Sequence, residues 1–102
     1  MLNQTVLVGR LVQDPEIKEL ENDKKVCNIT LAVTRSYKNA DGIYETDFIP
    51  VTLWQRIAEN VKEYCKKGDL VGVRGRLQAR EDKVEVVGEK VTFLSSKAKE
   101  EE

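Results

Sequence analysis

Apolar residues return at every second position over long stretches of this chain, which is the period of a β-strand with one buried face. Residues 5–12 predict a first strand, and Pro15 marks its end because proline has no amide hydrogen to donate to a sheet. Residues 26–37 predict a second, longer strand with one apolar and one polar face. Its apolar side chains are predicted inside and its polar ones outside: Cys27, Ile29, Leu31 and Val33 against Asn28, Thr30 and Thr34.

A turn over residues 38–42 predicts a hairpin between this strand and a third one over residues 43–54. Its Asp-Gly pair suits the positive φ angles of tight hairpin turns. Alternation in the third strand assigns the aliphatic residues Ile49, Val51 and Leu53 to the core. The residues between and beside them are therefore predicted to face outward, and they are Phe48, Pro50, Thr52 and Trp54.

After the third strand the apolar residues recur at spacings of three and four, which predicts one amphipathic helix with Gly68 at its C-cap. Residues 70–80 and 84–94 then return to β character around the short polar link 81–83. Alternation in the fourth strand predicts an apolar inner face and a basic outer face: Val71, Val73 and Leu77 inside, and Gly72, Arg74, Arg76, Gln78 and Arg80 outside.

Three strands, one helix and two further strands predict an all-β protein, a five-stranded OB-fold barrel with one helix between strands three and four. A split α+β sandwich is the alternative that the pattern leaves open. With 102 residues the chain is long enough for one domain with its own core. We assign this domain to residues 1–95 and a short charged tail to residues 96–102.

Composition narrows the class of protein. Hydrophobic residues make up 40% and charged residues 34% of the chain, which indicates a soluble globular protein rather than a disordered one. No apolar run approaches the roughly 18 residues of a membrane span, and no signal-like segment opens the chain. We therefore expect a cytoplasmic protein with no membrane partner.

The sequence lacks most of the residues that usually serve in catalysis and metal binding. The sequence contains no histidine, the commonest general base, and only two cysteines, Cys27 and Cys65. We therefore expect no enzymatic activity, no cofactor and no metal site. A small hydrolase or transferase, the enzymatic alternative, would have to take its general base from acids such as Asp14, Asp47 or Glu59.

The formal net charge of −1 argues against nucleic-acid binding unless the cations are gathered on one surface. The alternation places cations on one surface, because Arg74, Arg76 and Arg80 all face outward on the fourth strand. The outward rings of Phe48 and Trp54 would lie beside this row. Rings stack on the bases of a single strand while guanidinium groups meet its phosphates. The pattern therefore predicts binding of single-stranded DNA.

Other interpretations of this surface remain open. Arg35 and Tyr37 lie near the hairpin tip in phase with the apolar face, so their placement beside the outward rings requires a twist or a bulge. Trp54 could instead be the first core residue of the helix. The arginines of the fourth strand could pair with Glu85 and Glu89 in a sheet ladder rather than bind phosphates.

Three segments of the chain, in register, closely resemble the bacterial single-stranded DNA-binding protein family: MLNQTVLVGRLVQDPEIK, NITLAVTRSYKNADG and ETDFIPVTLWQRIAENVKEYCKKGDLVGVRGRLQAR. The resemblance covers residues 1–95. It implies an OB-fold homotetramer around which single-stranded DNA wraps, without sequence preference, during replication, repair and recombination. It also implies base stacking on Tyr37, Phe48 and Trp54. The basic residues that it places at the DNA backbone are Arg10, Arg35, Arg56, Arg74, Arg76 and Arg80, and Lys38 adds a cation next to Tyr37.

The chain departs from the family's pattern in two places. The link over residues 81–83 is much shorter than the long hairpin typical of the family, and it lacks an aromatic residue usually found there. The sequence finishes on KAKEEE, where family members carry a flexible linker and an acidic tip that recruits replication and repair enzymes, so we do not expect such recruitment. As an alternative to DNA binding, the outward rings could serve an OB-fold protein-interaction module such as a primosomal adaptor.

Overall fold

The computed structural model describes residues 1–96, which form six strands, one α-helix and one 3-10 turn. The strands are β1 (Thr5–Leu11), β2 (Ile17–Glu19), β3 (Lys25–Lys38), β4 (Tyr44–Trp54), β5 (Leu70–Arg80) and β6 (Lys83–Ser95). The helix, α1, spans Gln55–Tyr64, and the 3-10 turn spans Glu21–Asp23. Apart from Ser96, the charged tail predicted over residues 96–102 lies outside the described residues, so the domain boundary at residue 95 stays a prediction.

The strands form one sheet in the order β1-β5-β6-β4-β3-β2, and pairing of β1 with β3 closes it into a barrel. Neighbouring strands are antiparallel except for β4 and β6, which run parallel. The five long strands form the predicted OB-fold barrel, with α1 between the third and fourth of them. The all-β prediction is confirmed, and the α+β sandwich is excluded. The sequence analysis did not predict β2, because its three residues are too few to show a period.

The barrel interior is built from the apolar positions that alternation assigned to it. Leu31 and Leu53 are fully buried, and Val51 is 1% exposed. Burying one such aliphatic side chain stabilises the fold by roughly 1.5–3 kcal/mol. Helix α1 adds Ala58 and Val61 to the same core, so it covers one side of the barrel interior.

Two side chains differ from the predicted inside and outside pattern. Leu77 is in the inward phase of β5 but is 46% exposed. The pairing of β1 with β5 ends at Gly75, and the β5–β6 hairpin continues past the end of the barrel. There the Asn3 side chain bonds the backbone of Leu77 and leaves the leucine side chain exposed. Thr52 does lie in the outward phase of β4, opposite Asn28, but neighbouring side chains leave it only 7% exposed.

The helix ends earlier than the sequence predicts. Its C-cap is Cys65, whose amide donates to the carbonyl oxygen of Val61 at 3.0 Å. Gly68 lies in the following turn with φ +91°, and its amide donates to the carbonyl oxygen of Leu11 at 2.8 Å. Gly68 therefore ties this turn to β1 instead of capping α1. Within residues 1–96, no helix has the length and apolar character that crossing a membrane requires.

Candidate nucleic-acid interface

The ring of Phe48 lies on the outer face of β3 and β4, where its nearest neighbours are small, uncharged side chains. The register places Phe48 opposite Ala32, with Thr46 and Pro50 next to it along β4. Because strand residues two apart point to the same side, both flanking side chains share the face of the ring. Ala32 is too small to cover that ring, and Phe48 is 65% exposed. The predicted outward position of Phe48 is confirmed.

Trp54 stands where β4 passes into α1. It is the N-cap of the helix, its backbone is still extended (φ −118°, ψ 146°), and it lies opposite Val26 in the register. Gln55 then turns the chain with φ +55°. Trp54 is half-buried and does not belong to the core cluster, so the alternative that makes it the first core residue of the helix does not hold. The exposed Arg56 follows in the first turn of α1.

The hairpin tip contains the bulge that the placement of Tyr37 requires. The register shifts between Thr34 and Lys38, where three residues of β3 stand opposite one of β4. Tyr37 is 62% exposed and Tyr44 is 52% exposed. The Nζ atom of Lys38 lies 5.6 Å from the centroid of the Tyr44 ring, within cation–π range. The sequence analysis missed Tyr44. Its position four residues before Phe48 in the same strand indicates that both rings face outward.

Arg35 lies on the side of the hairpin away from the Phe48 ring. Its Nη2 is 2.9 Å from Oδ1 of Asp47 and its Nε is 3.1 Å from Oδ2, while Nη1 donates to Glu45. Asp47 and Phe48 are consecutive strand residues, so their side chains point to opposite faces. The hydrogen bond between Arg35 and Asp47 lowers the pKa of Asp47 and raises the pKa of Arg35. A DNA contact by Arg35 stays a prediction, and two carboxylates already balance its charge.

Two of the three outward arginines of β5 bind carboxylates of β6. Nη1 of Arg76 is 3.2 Å from Oε2 of Glu89, and Nη1 of Arg80 is 3.9 Å from Oε2 of Glu85. The sheet ladder considered as an alternative is therefore present for these two. The third, Arg74, is exposed opposite a lysine and forms no ion pair within residues 1–96. The Arg76–Glu89 pair is exposed, and exposed ion pairs contribute only about 0–1 kcal/mol, so a phosphate can displace Glu89.

Arg10 approaches the same outer face from β1. The register sets it opposite Ala32, which is itself opposite Phe48 on β4. Nη1 of Arg10 donates to the carbonyl oxygen of Gly68 at 2.9 Å, and the side chain is half-buried. A groove of about 300 Å³ lies beside it. Arg10 thus borders the face that carries Phe48 while it binds the turn after α1.

The sequence matches the Single-strand binding protein family over residues 2–100. The chain belongs to this family. It is 47% identical to Single-stranded DNA-binding protein 1 of Clostridium acetobutylicum, in an alignment that covers 94% of this chain and 96% of that protein. Identity to Single-stranded DNA-binding protein B of Bacillus subtilis is 45%, over 98% of this chain and 96% of that one. Single-stranded DNA-binding protein 2 of Staphylococcus aureus is 50% identical, over 95% of this chain and 75% of its own length.

Membership of a family of binding proteins agrees with the prediction that this chain is not an enzyme. The acids weighed as general bases are each held by another group. Asp14 accepts a hydrogen bond of 2.8 Å from a backbone amide in the turn after α1. Asp47 is held by Arg35, and Glu59 lies 3.2 Å from Nζ of Lys25. Within residues 1–96, no three acidic or cysteine side chains are grouped so that they could hold a metal ion.

The two cysteines of this family member are buried free thiols. Burial raises the pKa of Cys27, and it raises the pKa of Cys65 to about 11. Both thiols therefore stay protonated at neutral pH, and a protonated thiol is a poor nucleophile and a poor metal ligand. Their place in the core is that of small apolar side chains.

Proposed function

We propose that this protein binds single-stranded DNA without strict sequence preference and protects it during replication, repair and recombination in the bacterial cytoplasm. The observation that carries the proposal is the exposed ring of Phe48 in the middle of an uncharged outer face. OB-fold barrels commonly bind oligonucleotides on the strands that correspond to this face. Three relatives at 45–50% identity are named single-stranded DNA-binding proteins.

Stacking accounts for a preference for single strands. Tyr37, Phe48 and Trp54 would each meet the flat face of one base, and because every base has such a face, stacking tolerates any sequence. In duplex DNA the faces are covered by neighbouring base pairs. The threonine, alanine and proline side chains around Phe48 carry no charge, so they leave the ring open to a base of any kind.

The cations that would meet the phosphates differ in what they already bind. Arg56, Arg74 and Lys38 are exposed and form no ion pair within residues 1–96. Arg76 would exchange its exposed partner Glu89 for a phosphate at a cost of about 1 kcal/mol or less. Arg80 is itself 71% exposed and 3.9 Å from Glu85, so its guanidinium is accessible to a phosphate. All five would add to a salt-dependent affinity, because each phosphate that is neutralised releases counterions.

We assign Arg10 and Arg35 primarily to positioning. Arg10 binds the carbonyl oxygen of Gly68, and Arg35 binds Asp47. Each therefore holds a segment next to the stacking face. A phosphate that reached either guanidinium would have to compete with a partner already in place.

The stacking energy that one subunit supplies is small enough to favour binding by several linked subunits. Stacking is worth about 1–3 kcal/mol per base, so three rings supply roughly 3–9 kcal/mol, whereas micromolar affinity requires about 8 kcal/mol. One subunit alone would bind weakly, and several linked faces on one strand would bind tightly. We therefore propose a homotetramer. Val6 and Val8, which are 68% and 51% exposed on the outer face of β1, offer apolar surface to a second copy.

Fluorescence tests the proposal directly, because Trp54 is the only tryptophan of the chain. We expect oligo(dT) to quench Trp54 strongly at low salt and less at high salt, and duplex of equal length to leave it unchanged. Equal quenching by the duplex would overturn the preference for single strands. Absence of quenching and of any binding by oligo(dT) would overturn the whole proposal and favour the protein-interaction module.

A further inference from the structure

Tyr44 adds a third ring to the outer face of β4. It is the first residue of that strand, and it has the outward phase of Phe48 and Trp54. Tyr44 is 52% exposed, so much of its side chain is accessible from solvent. It precedes Phe48 by four residues, a separation of about 13 Å along the strand. A single strand of DNA that passes from Trp54 to Phe48 and continues in the same direction therefore meets Tyr44 next.

A cation lies over the Tyr44 ring. Lys38 is the residue of β3 directly across from Tyr44, and its Nζ is 5.6 Å from the ring centroid. Because this ammonium group approaches one face of the ring, the opposite face is the one open to a base. The same ammonium group can meet a phosphate of the strand that carries the stacked base. Ring and cation thus form a pair that can hold one nucleotide by stacking and by charge.

The turn next to Tyr44 is fixed by the side chain of Asn39. Its Oδ1 accepts hydrogen bonds from the amides of Asp41 and Ile43, at 2.9 Å and 3.0 Å. Its Nδ2 donates to Oε1 of Glu45 at 3.3 Å, so residues on both sides of Tyr44 bind Asn39. The backbone amide of Asn39 also donates to the carbonyl oxygen of Ile43 at 2.8 Å. A ring held in place in this way loses little conformational entropy when a base stacks on it.

The acidic side chains of the hairpin do not oppose a polyanion at this ring. Glu45 and Asp47 lie in the opposite phase from Tyr44, and both bind Arg35 on the other side of the hairpin. Asp41 is exposed in the turn, where water and salt screen its charge. The face of the hairpin that carries Tyr44 is therefore compatible with the phosphates of a bound strand.

We propose that Tyr44, with Lys38 over one face of its ring, forms a fourth stacking subsite for single-stranded DNA, in addition to Tyr37, Phe48 and Trp54. The subsite takes any nucleotide, because stacking on a ring and pairing with a cation do not depend on the identity of the base. It lengthens the stretch of DNA that one subunit holds. The inference rests on the proposed binding of single-stranded DNA and adds the place where the strand passes the hairpin tip.

Oligo(dT) of increasing length tests the subsite, with affinities measured through quenching of Trp54. We expect the wild type and Tyr44→Ala to bind equally when the oligonucleotide is long enough only for Trp54 and Phe48. Once the strand is long enough to reach Tyr44, the variant should bind about 5- to 150-fold more weakly, the range of one stacked base. Tyr44→Phe keeps the ring and should bind as the wild type does at every length.

Ile43→Ala is the matched control, because Ile43 is 59% exposed at the same hairpin tip and has no ring. Its amide and carbonyl groups, which bond Asn39, stay in place in this variant. We expect no change of affinity at any length. Lys38→Gln separates the cation from the ring. For long oligonucleotides it should reduce the slope of log K against log salt concentration by about 0.7, the value of one phosphate contact, and for short ones it should leave the slope unchanged.

Photo-cross-linking reports the contact itself. Single thymines of a long oligo(dT) are replaced by photoreactive 5-iodouracil, one position at a time, and the cross-linked residue is identified by mass spectrometry. We expect positions near one end of the strand to cross-link to Tyr44, and positions further along to cross-link to Phe48 and Trp54.

Equal affinities of the wild type and Tyr44→Ala at every length would overturn the inference. The same holds for an equal loss in Ile43→Ala or in Tyr44→Phe, for a salt slope that Lys38→Gln lowers equally for short and long strands, and for cross-links that reach Phe48 and Trp54 but never Tyr44. All of these results leave the proposed function intact, because the oligonucleotides still bind. Failure of the wild type to bind oligo(dT) of any length would instead remove the proposed function, and the subsite with it.

Discussion

The guanidinium of Arg35 binds both carboxylate oxygens of Asp47, with Nη2 2.9 Å from Oδ1 and Nε 3.1 Å from Oδ2. Asp47 directly precedes Phe48, so this pair fixes the segment of β4 that presents the ring. The bulge that follows Thr34 interrupts the regular hydrogen-bond ladder of the hairpin at this point. Side-chain bonds therefore replace ladder bonds in holding the two strands together beside the stacking face.

Replacement of Asp47 by asparagine should destabilise the protein at neutral pH but not in acid. The pKa of Asp47 is lowered by its hydrogen bond from Arg35. The ionised Asp47 carboxylate therefore stabilises the fold at pH values above the ordinary aspartate pKa of about 3.9. This contribution to the free energy of unfolding is lost as the pH falls through the lower pKa that Asp47 has in the folded protein. Urea unfolding of wild type and Asp47→Asn should show a gap at neutral pH that closes in acid. Asp82→Asn, in the exposed β5–β6 turn, should show no gap, and a gap that persisted in acid would contradict the assignment.

Phe48→Ala should weaken binding of single-stranded DNA by about 1–3 kcal/mol, the value of one stacked base, which is roughly 5- to 150-fold in Kd. The melting temperature should change little because the ring is 65% exposed. Phe93→Ala is the matched control, since Phe93 is 48% exposed on β6 and contacts Tyr64 instead, with ring centroids 6.0 Å apart. Equal losses of affinity in both variants would show that the face of β3 and β4 is not the stacking surface.

Alternation along the strands was sufficient to predict the barrel and the outward ring of Phe48, because one buried face repeats every two residues. It failed where exposure depends on distant parts of the chain. Leu77 has the inward phase, but its exposure depends on where β1 stops pairing with β5. Thr52 has the outward phase, but a side chain of β6 covers it, and β6 reaches β4 only through a parallel pairing that no local pattern predicts.

The candidate site was predicted in outline, with errors that have the same origin. A bulge changes which residues share a face, so the tip of the hairpin could not be assigned from alternation alone. Arg35 keeps the inward phase and binds Asp47, while Tyr44 keeps the outward phase of Phe48 and went unnoticed because it precedes the apolar run. Glu85 looked like a partner for an arginine, and only the register of β6 against β4 brings it to Thr52.

Arg74→Gln and Arg35→Gln should separate phosphate contact from positioning. Arg74 is exposed and forms no ion pair within residues 1–96, so its loss should reduce the slope of log K against log salt concentration by about 0.7, the value of one phosphate contact on a single strand. Arg35→Gln should leave that slope nearly unchanged and lower the resistance to urea instead. A salt slope reduced by Arg35→Gln as much as by Arg74→Gln would make Arg35 a direct DNA contact.

Val8→Glu should separate assembly from the binding face. Val8 is 51% exposed on the outer face of β1, and a glutamate buried there between two copies would be an unpaired charge. We expect the mass in solution to fall from a tetramer to a smaller species. An oligonucleotide short enough for one face should bind the variant as tightly as the wild type, whereas a long strand should lose the roughly 10²- to 10⁴-fold gain of linked faces. Leu20→Glu, at a 45% exposed leucine directly after β2, should keep both the mass and the affinities. A tetrameric Val8→Glu would place the interface on another face, and weaker binding of the short oligonucleotide would make Val8 part of the DNA-binding surface itself.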